Sequence, residues 1–215
     1  MQKTALIIFQ KNPELGKVKT RLAAGIGDLK ALEIYRNLIQ ITCEEAQETG
    51  FEVFVFYSSF IPDQVAFPRF QALLQKGKDL GERMENAFHE VFAMGYSKAI
   101  IIGTDCPELS TEILLEAESK LETNEVVIGP AEDGGYYLLG LKSLHPELFR
   151  SIAWSTGSVL KETLGRARAF RLKSELLVQL SDLDTEEDLI RLFGQGSEWK
   201  EKLGWDEKKL ENHQK

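Results

Sequence analysis

Short apolar runs alternate with amphipathic stretches along the chain. Thr4 to Phe9 is almost wholly apolar, the pattern of a strand buried on both faces of a sheet. Gln10 to Gly27 is polar and carries Pro13, Gly16, Gly25 and Gly27, which predicts a long loop with at most a turn of helix. From Asp28 to Thr49 the spacing of Leu32, Tyr35, Ile39 and Thr42 predicts a helix, with Asp28 placed to cap it and Gly50 to end it. Strands are expected at Phe51 to Tyr57 and Phe70 to Leu74, with an irregular connection over Phe60 to Pro68. A helix follows over Asp79 to Met94, closed by Gly95. Lys98 to Gly103, with Ala99-Ile100-Ile101-Ile102, has the plainest buried-strand pattern. Ser110 to Leu121 reads as a helix, and Glu125 to Gly129 and Tyr136 to Leu141 as strands joined by a Gly-rich turn. Next come a helix over Thr156 to Ala167, a strand over Ala169 to Lys173, and a helix over Thr185 to Phe193 that opens on Thr-Glu-Glu-Asp. From Ser197 a charged tail reads as helical, with a frayed end over Glu211 to Lys215.

Alternating strands and helices predict an α/β protein, a three-layer α/β/α sandwich around a mostly parallel sheet. Residues 1–195 form the expected domain and 196–215 the tail. Ligands of such sheets sit beyond the carboxyl ends of the strands. The first strand empties into Lys11-Asn12-Pro13-Glu14-Leu15-Gly16-Lys17-Val18-Lys19-Thr20-Arg21, where four cations fall in eleven positions. Such a loop can fold amides and cationic tips around phosphates, or simply be solvated. It is not a Walker A loop, because Lys11 stands where the first Gly is required and Val18 follows Gly16-Lys17.

The central strand ends in Gly103-Thr104-Asp105-Cys106-Pro107. A carboxylate there is a hard oxygen donor for Mg²⁺ or Mn²⁺, or else a cap for the next turn. Asp133, Gly134, Gly135 and Tyr136 lie in a turn where backbone can approach a ligand closely, or which merely reverses the chain. Of Asp182 and Asp184, just before a helix, one can be an N-cap and the other a second metal ligand.

Composition narrows the field. The 215 residues carry a formal charge of −8, from 34 acidic and 26 basic side chains. This argues against a general nucleic-acid binder, which needs excess positive charge. The two cysteines, Cys43 and Cys106, are far apart, so no disulfide framework is expected and a reducing compartment is the default. No apolar run resembles a signal peptide or a membrane span, so the expectation is a cytoplasmic protein without membrane partners. His89, His145 and His213 are scattered, which argues against a histidine metal site or a catalytic triad.

Six segments in order resemble a bacterial family of glycosyltransferase-like proteins. They are Phe9 to Pro13 running into Gly16 to Leu22, Gln75 to Met84, Gly103 to Pro107, Gly129 to Tyr137, Trp154-Ser155-Thr156, and Asp182 to Thr185. The resemblance implies the GT-A nucleotide-diphospho-sugar transferase fold, with kinship to 2-phospholactate guanylyltransferases and molybdenum-cofactor nucleotidyltransferases. It implies that Lys11, Lys19 and Arg21 hold nucleotide phosphates, with Lys19 and Arg21 acting in catalysis beside Asp105. It implies further that Gln75 and Gly81 recognise the base, that Asp105 and Asp184 bind Mg²⁺ or Mn²⁺, and that Asp133, Gly134, Gly135, Tyr136 and Thr156 line an acceptor or sugar pocket. Two departures stand out. Gln10-Lys11-Asn12-Pro13 replaces the Gly-rich first loop of sugar-nucleotide pyrophosphorylases, and Thr104-Asp105-Cys106 replaces the Asp-x-Asp of many glycosyltransferases.

The resulting expectation is a metal-dependent transferase that binds a nucleotide or nucleotide sugar and an unidentified small-molecule acceptor. Nucleotidyl transfer from a nucleoside triphosphate to a phosphorylated acceptor is the alternative, and a non-catalytic nucleotide-binding module the second. The reading allows a homodimer.

Overall fold

The computed structural model describes residues 3–205. Its elements are β1 (Thr4–Gln10), α1 (Thr20–Ile26), α2 (Asp28–Glu48), β2 (Glu52–Tyr57), β3 (Gln71–Leu74), α3 (Leu80–Ala93), β4 (Lys98–Ile102), α4 (Thr111–Lys120), β5 (Val126–Pro130), β6 (Tyr136–Leu141), α5 (Val159–Ala169), β7 (Ser174–Leu176), α6 (Glu186–Gln195) and α7 (Glu198–Lys202), with a 3₁₀ turn at Pro146–Leu148. The strands form one sheet in the order β3-β2-β1-β4-β6-β5-β7. β1 pairs in parallel with both β2 and β4. Only β6 runs against its neighbours, because a short turn returns the chain beside β5. The expected α/β sandwich with a mostly parallel sheet is the fold observed.

The central strands are buried on both faces, so their alternating side chains build two cores. Leu6, Ile8, Val53, Val55, Ile100 and Ile102 meet α2 and α4. Ala5, Ile7, Phe54, Phe56, Ala99 and Ile101 meet α3 and α5. Each fully buried aliphatic or aromatic side chain contributes about 1.5–3 kcal/mol. A third cluster lies outside α2, where Leu22 of α1, Ile34 and Leu38 of α2, Leu189 and Leu192 of α6, and Leu203 pack together. α2 is therefore apolar on two sides, one toward the sheet and one toward α1 and α6. Among the described residues no helix is long and apolar enough to cross a membrane.

Four local expectations are corrected. The strand expected over Ala169 to Lys173 is the end of α5 and a turn through Arg171, at φ 56°, and the strand itself is Ser174–Leu176. The polar stretch after β1 contains a two-turn helix, α1, whose first turn starts beyond Lys19. Asp28 is the first helical residue and Gly27 takes the cap position, without a side-chain cap bond. Thr156 precedes α5 by three residues. Of the tail, α7 is helical and Leu203 is buried; Glu211 to Lys215 and His213 lie outside the described residues.

Candidate active site

The carboxyl ends of β1, β2 and β4 carry loops tied to one another by polar side chains. Asn12 is buried, and its Oδ1 accepts from the Ser58 hydroxyl (3.2 Å) and the Ser59 amide (3.0 Å) while its Nδ2 donates to Phe60 O (2.8 Å). An amide has both donors and acceptors, so one residue locks the loop after β1 to the loop after β2. Tyr35 of α2 does the same between β1 and β4. Its hydroxyl accepts from Lys11 N (3.0 Å) and from Thr104 Oγ1 (3.1 Å) and donates to Lys11 O (3.2 Å). Leu183 N donates to Asp105 O (2.8 Å), which fastens the Asp182-Leu183-Asp184 segment beside the end of β4.

Lys19 joins these pieces. It sits at the N-cap of α1 in the left-handed region, φ 48°, a conformation uncommon for a side chain with a Cβ. Its own side chain is 3% exposed. Its Nζ lies 2.6 Å from Asp105 Oδ1, 3.0 Å from Asp184 Oδ1 and 2.6 Å from Leu183 O. Burial alone would lower the lysine pKa, but the charges of Asp105 and Asp184 outweigh it, and the ammonium is held above its ordinary value. Lys19 is thus the buried cation between the two aspartates expected to hold metal, rather than an open phosphate contact.

Asp182 lies in the same cluster. Burial, with Asp105 next to it, pushes its carboxyl up to about 7. Two carboxylates against one ammonium, with Asp182 close by, leave excess negative charge at the sheet end. Arg21 is 73% exposed and reaches only to 3.9 Å from Asp184 Oδ2.

A cavity of about 450 Å³ opens beside this cluster, lined by Lys11, Gln75, Arg83, Asp105, Tyr136 and Asp182 among others. Gln75 lines the cavity, but its Nε2 donates to Phe56 O (2.9 Å) and its Oε1 accepts from Arg83 (3.3 Å), so its amide already has partners. Gly81 does not line the cavity; a Cβ there would overlap the Trp154 indole, so this glycine lets the Trp154 ring lie against α3. Gly134, at φ 87°, is pressed against the Gly157 carbonyl and turns β5 into β6. Asp133 is exposed and accepts from Gly135 N (2.8 Å), an Asx-type turn contact. Tyr136 points its hydroxyl at Met84 Sδ, 3.9 Å away. Thr156 is exposed and donates to Ala153 O (2.6 Å); its neighbour Ser155 is the one that lines the cavity. Cys106 is buried, and burial raises its thiol well above the ordinary value, consistent with packing.

The donor set fits a divalent cation. Asp105 and Asp184 are 41% and 42% exposed, and each turns its Oδ1 to Lys19, while Arg21 stands 3.9 Å from Asp184 Oδ2. Mg²⁺ and Mn²⁺ are served by one or two carboxylates completed by water and substrate phosphates. Among the described residues no group of three or more histidine, cysteine, aspartate or glutamate side chains is arranged to hold a metal ion, so an ion here would rest on two carboxylates.

Sequence reasoning did not single out Tyr35 or Arg83. Tyr35 falls on the apolar face of α2, and nothing in that periodicity tells a buried ring from one whose hydroxyl serves the site.

Comparison with known proteins gives the same architecture. A candidate nucleotide-diphospho-sugar transferase from Desulfovibrio desulfuricans G20 is 33% identical over 90% of this chain and 87% of its own, with a TM-score of 0.83. The manganese complex of Rv0371C from Mycobacterium tuberculosis H37Rv is 15% identical over 91% of this chain and 100% of its own, TM-score 0.56. 4-Diphosphocytidyl-2C-methyl-D-erythritol synthase from Anaerococcus prevotii DSM 20548 is 12% identical over 91% and 99%, TM-score 0.57. At these identities the last two share the fold alone. No curated protein matches the chain. Residues 42–156 match the family described as "Uncharacterized protein conserved in bacteria (DUF2064)", and with this match and the Desulfovibrio relative the chain belongs to that family, on the nucleotide-diphospho-sugar transferase fold.

Proposed function

We propose that the protein is a metal-dependent transferase that takes a nucleotide sugar in the cavity at the ends of β1, β4 and β6 and passes the sugar to a small-molecule acceptor. The observation that carries this reading is the Asp105–Lys19–Asp184 cluster beside a cavity of about 450 Å³ that Asp105 lines. The description of the Desulfovibrio relative supports the substrate class, and the manganese in the Mycobacterium relative supports the cation.

Asp105 and Asp184 would hold Mg²⁺ or Mn²⁺, and the ion would supply charge neutralisation on the diphosphate. Lys19 keeps the two carboxylates together, which would otherwise repel each other. Lys11 and Arg21 reach the phosphates from the rim. Gln75 and the start of α3 meet the base, with Gly81 acting through the packing of Trp154. Tyr136 borders the pocket for sugar or acceptor, and the turn of Asp133, Gly134 and Gly135, with Thr156, shapes its edge. In the transfer an acceptor oxygen bonds to the anomeric carbon and gives its proton to solvent water. The bond from that carbon to the diphosphate breaks, and its electron pair leaves on the phosphate oxygen.

Nucleotidyl transfer is the second reading. There an acceptor phosphate attacks the α-phosphate of a nucleoside triphosphate and pyrophosphate leaves. Arg83 and Lys11 on the cavity wall favour it, since a triphosphate needs more cations than a diphosphate. Two of the four cations in the loop after β1 are already engaged, however: Lys19 by the aspartates and Lys17 by Glu14 at 2.7 Å. That leaves the sugar-transfer reading in front.

The test is calorimetric titration of UDP-glucose, GDP-mannose and the four nucleoside triphosphates with Mn²⁺, into the natural chain and Lys11→Ala/Arg21→Ala. Sugar transfer predicts that a nucleotide sugar binds tightest and that the double variant weakens it less than tenfold. Tighter triphosphate binding, lost by more than tenfold in the variant, would replace it with nucleotidyl transfer.

A further inference from the structure

The loop from β3 to α3 is tied to both of its neighbours. Gln75 N donates to Tyr57 O (2.9 Å), and its side-chain Nε2 donates to Phe56 O (2.9 Å), so this residue is fastened to the end of β2. Lys78 N donates to Glu82 Oε2 (2.9 Å) and Asn86 Nδ2 to Lys76 O (2.8 Å), which laces the loop to α3. Gly77, at φ 148°, runs so close to α3 that a Cβ there would stand 2.6 Å from Arg83 N. Its carbonyl accepts from Arg83 Nε (3.2 Å), and Gln75 Oε1 accepts from Arg83 Nη1 (3.3 Å). Two of the five guanidinium N–H groups thus hold the fork in place. The others have no partner, and Arg83 makes no ion pair, among the described residues. Arg83 lines the first cavity.

The sheet order says which part of a ligand meets this fork. Phe56 of β2 anchors Gln75, and Gln75 holds Arg83. β2 and β4 are two strand spacings apart, about 10 Å. Arg83 is therefore fixed on the β2–β3 side, while Asp105 follows β4. With a diphosphate at Asp105, the part of a nucleotide that reaches the far side is the base. Leu80 supports a ring there. It is 42% exposed, lies one turn before Arg83 and Met84 on the same face of α3, and lines the cavity with both. An apolar ledge beside a hydrogen-bonding fork suits a flat heterocycle, whereas a phosphate gains nothing from leucine.

We infer that Arg83 selects the base and that Gln75 is a positioning residue acting through it; this rests on the reading that a nucleotide fills the first cavity with its diphosphate at Asp105. A guanidinium has donors and no acceptor. It matches a base edge that shows acceptors, the O6 and N7 of guanine or the O4 of uracil. Adenine and cytosine carry an amino group at the same place, so donor would meet donor. The site therefore takes keto bases in preference to amino bases. Gln75 does not read the base itself, because its amide is spent on Phe56 and Arg83.

The test is calorimetric titration of GDP, ADP, UDP and CDP with Mn²⁺ into the natural chain, Arg83→Lys and Gln75→Ala, each shown to be folded by circular dichroism. Pyrophosphate is the probe without a base. In the tighter-binding pair of equal ring size, GDP with ADP or UDP with CDP, the keto member should be favoured at least tenfold. Arg83→Lys keeps the charge and loses the fork, so the preference should fall to threefold or less while pyrophosphate binds as before. Gln75→Ala should narrow the preference by threefold or more, again with pyrophosphate unchanged; a merely structural role would leave the ratio alone. An amino base bound as tightly as its keto counterpart in the natural chain, or a preference that survives Arg83→Lys, would overturn the assignment. Parallel losses of GDP and pyrophosphate in Arg83→Lys would make Arg83 a phosphate contact and overturn it too. Binding of none of the four nucleotides would remove the nucleotide reading and this assignment together, whereas equal binding of all four would remove the assignment alone.

Discussion

At the scale of single residues, Lys19 holds the most consequential position. Its ammonium is the only cation within 3.0 Å of both Asp105 and Asp184 among the described residues. Replacing it with Met leaves two carboxylates, and Asp182 behind them, with only the exposed Arg21, 3.9 Å from Asp184, as counter-charge. Removing one partner of a fully buried pair costs about 3–5 kcal/mol; the two aspartates are two-fifths exposed and water screens them, so about 1–3 kcal/mol is expected here. Urea unfolding of Lys19→Met should show that loss, and added Mn²⁺ should restore part of it by binding the carboxylates only in the folded state. Unchanged stability, with no response to Mn²⁺, would mean that the cluster does not hold the sheet end together. Asp105 and Lys19 were both legible from sequence, as a carboxylate after a buried strand and a cation in a loop. Their contact was not, since it depends on the left-handed Lys19 and on the Leu183 amide folding back onto Asp105. Nor did residue type reveal that Gln75 spends its amide on Phe56 and Arg83.

At the scale of elements, the strands with both faces buried were the easiest to read. Ala99 to Ile102 and Thr4 to Phe9 are apolar throughout, and that is what a central parallel strand requires. The short edge strand Ser174–Leu176 has only partly buried or exposed side chains, so no period marks it, and the apolar end of α5 drew the strand reading instead. α1 was hidden because Gly25 and Gly27 look like loop residues; Gly25 is helical all the same, with the Glu186 side chain filling the space where a Cβ would go. The contact of α3 with Trp154 gives a direct test. Gly81→Ala puts a methyl group into the indole and should cost about 1–3 kcal/mol of stability, as overpacking does. A thermal melt indistinguishable from the natural chain would show that Trp154 moves aside freely. The outer cluster gives another. Leu203 is fully buried against α1, α2 and α6, so Leu203→Ala should cost about 2–4 kcal/mol in chemical denaturation. A loss below about 0.5 kcal/mol would mean that the segment after α6 contributes little to folding.

At the scale of the whole molecule, a mostly parallel sheet brings the chemistry to one end. Lys11, Asp105 and Asp182 come from segments distant in the chain, and the topology gathers them because β1 and β4 are neighbours and the segment before α6 returns beside them. The fold was legible because alternation of strands and helices leaves few topologies; the order β6-β5-β7 was less so, since one reversed strand is decided by a turn. The central claim is that Asp105 holds a divalent cation on a bound nucleotide. It is tested most directly by calorimetric titration of nucleotide sugar, with and without Mn²⁺, into the natural chain and Asp105→Asn, with circular dichroism confirming that both are folded. Mn²⁺-dependent binding is expected, and Asp105→Asn should weaken it at least tenfold, about 1.4 kcal/mol. Equal Mn²⁺-dependent affinity in the two folded proteins would contradict it.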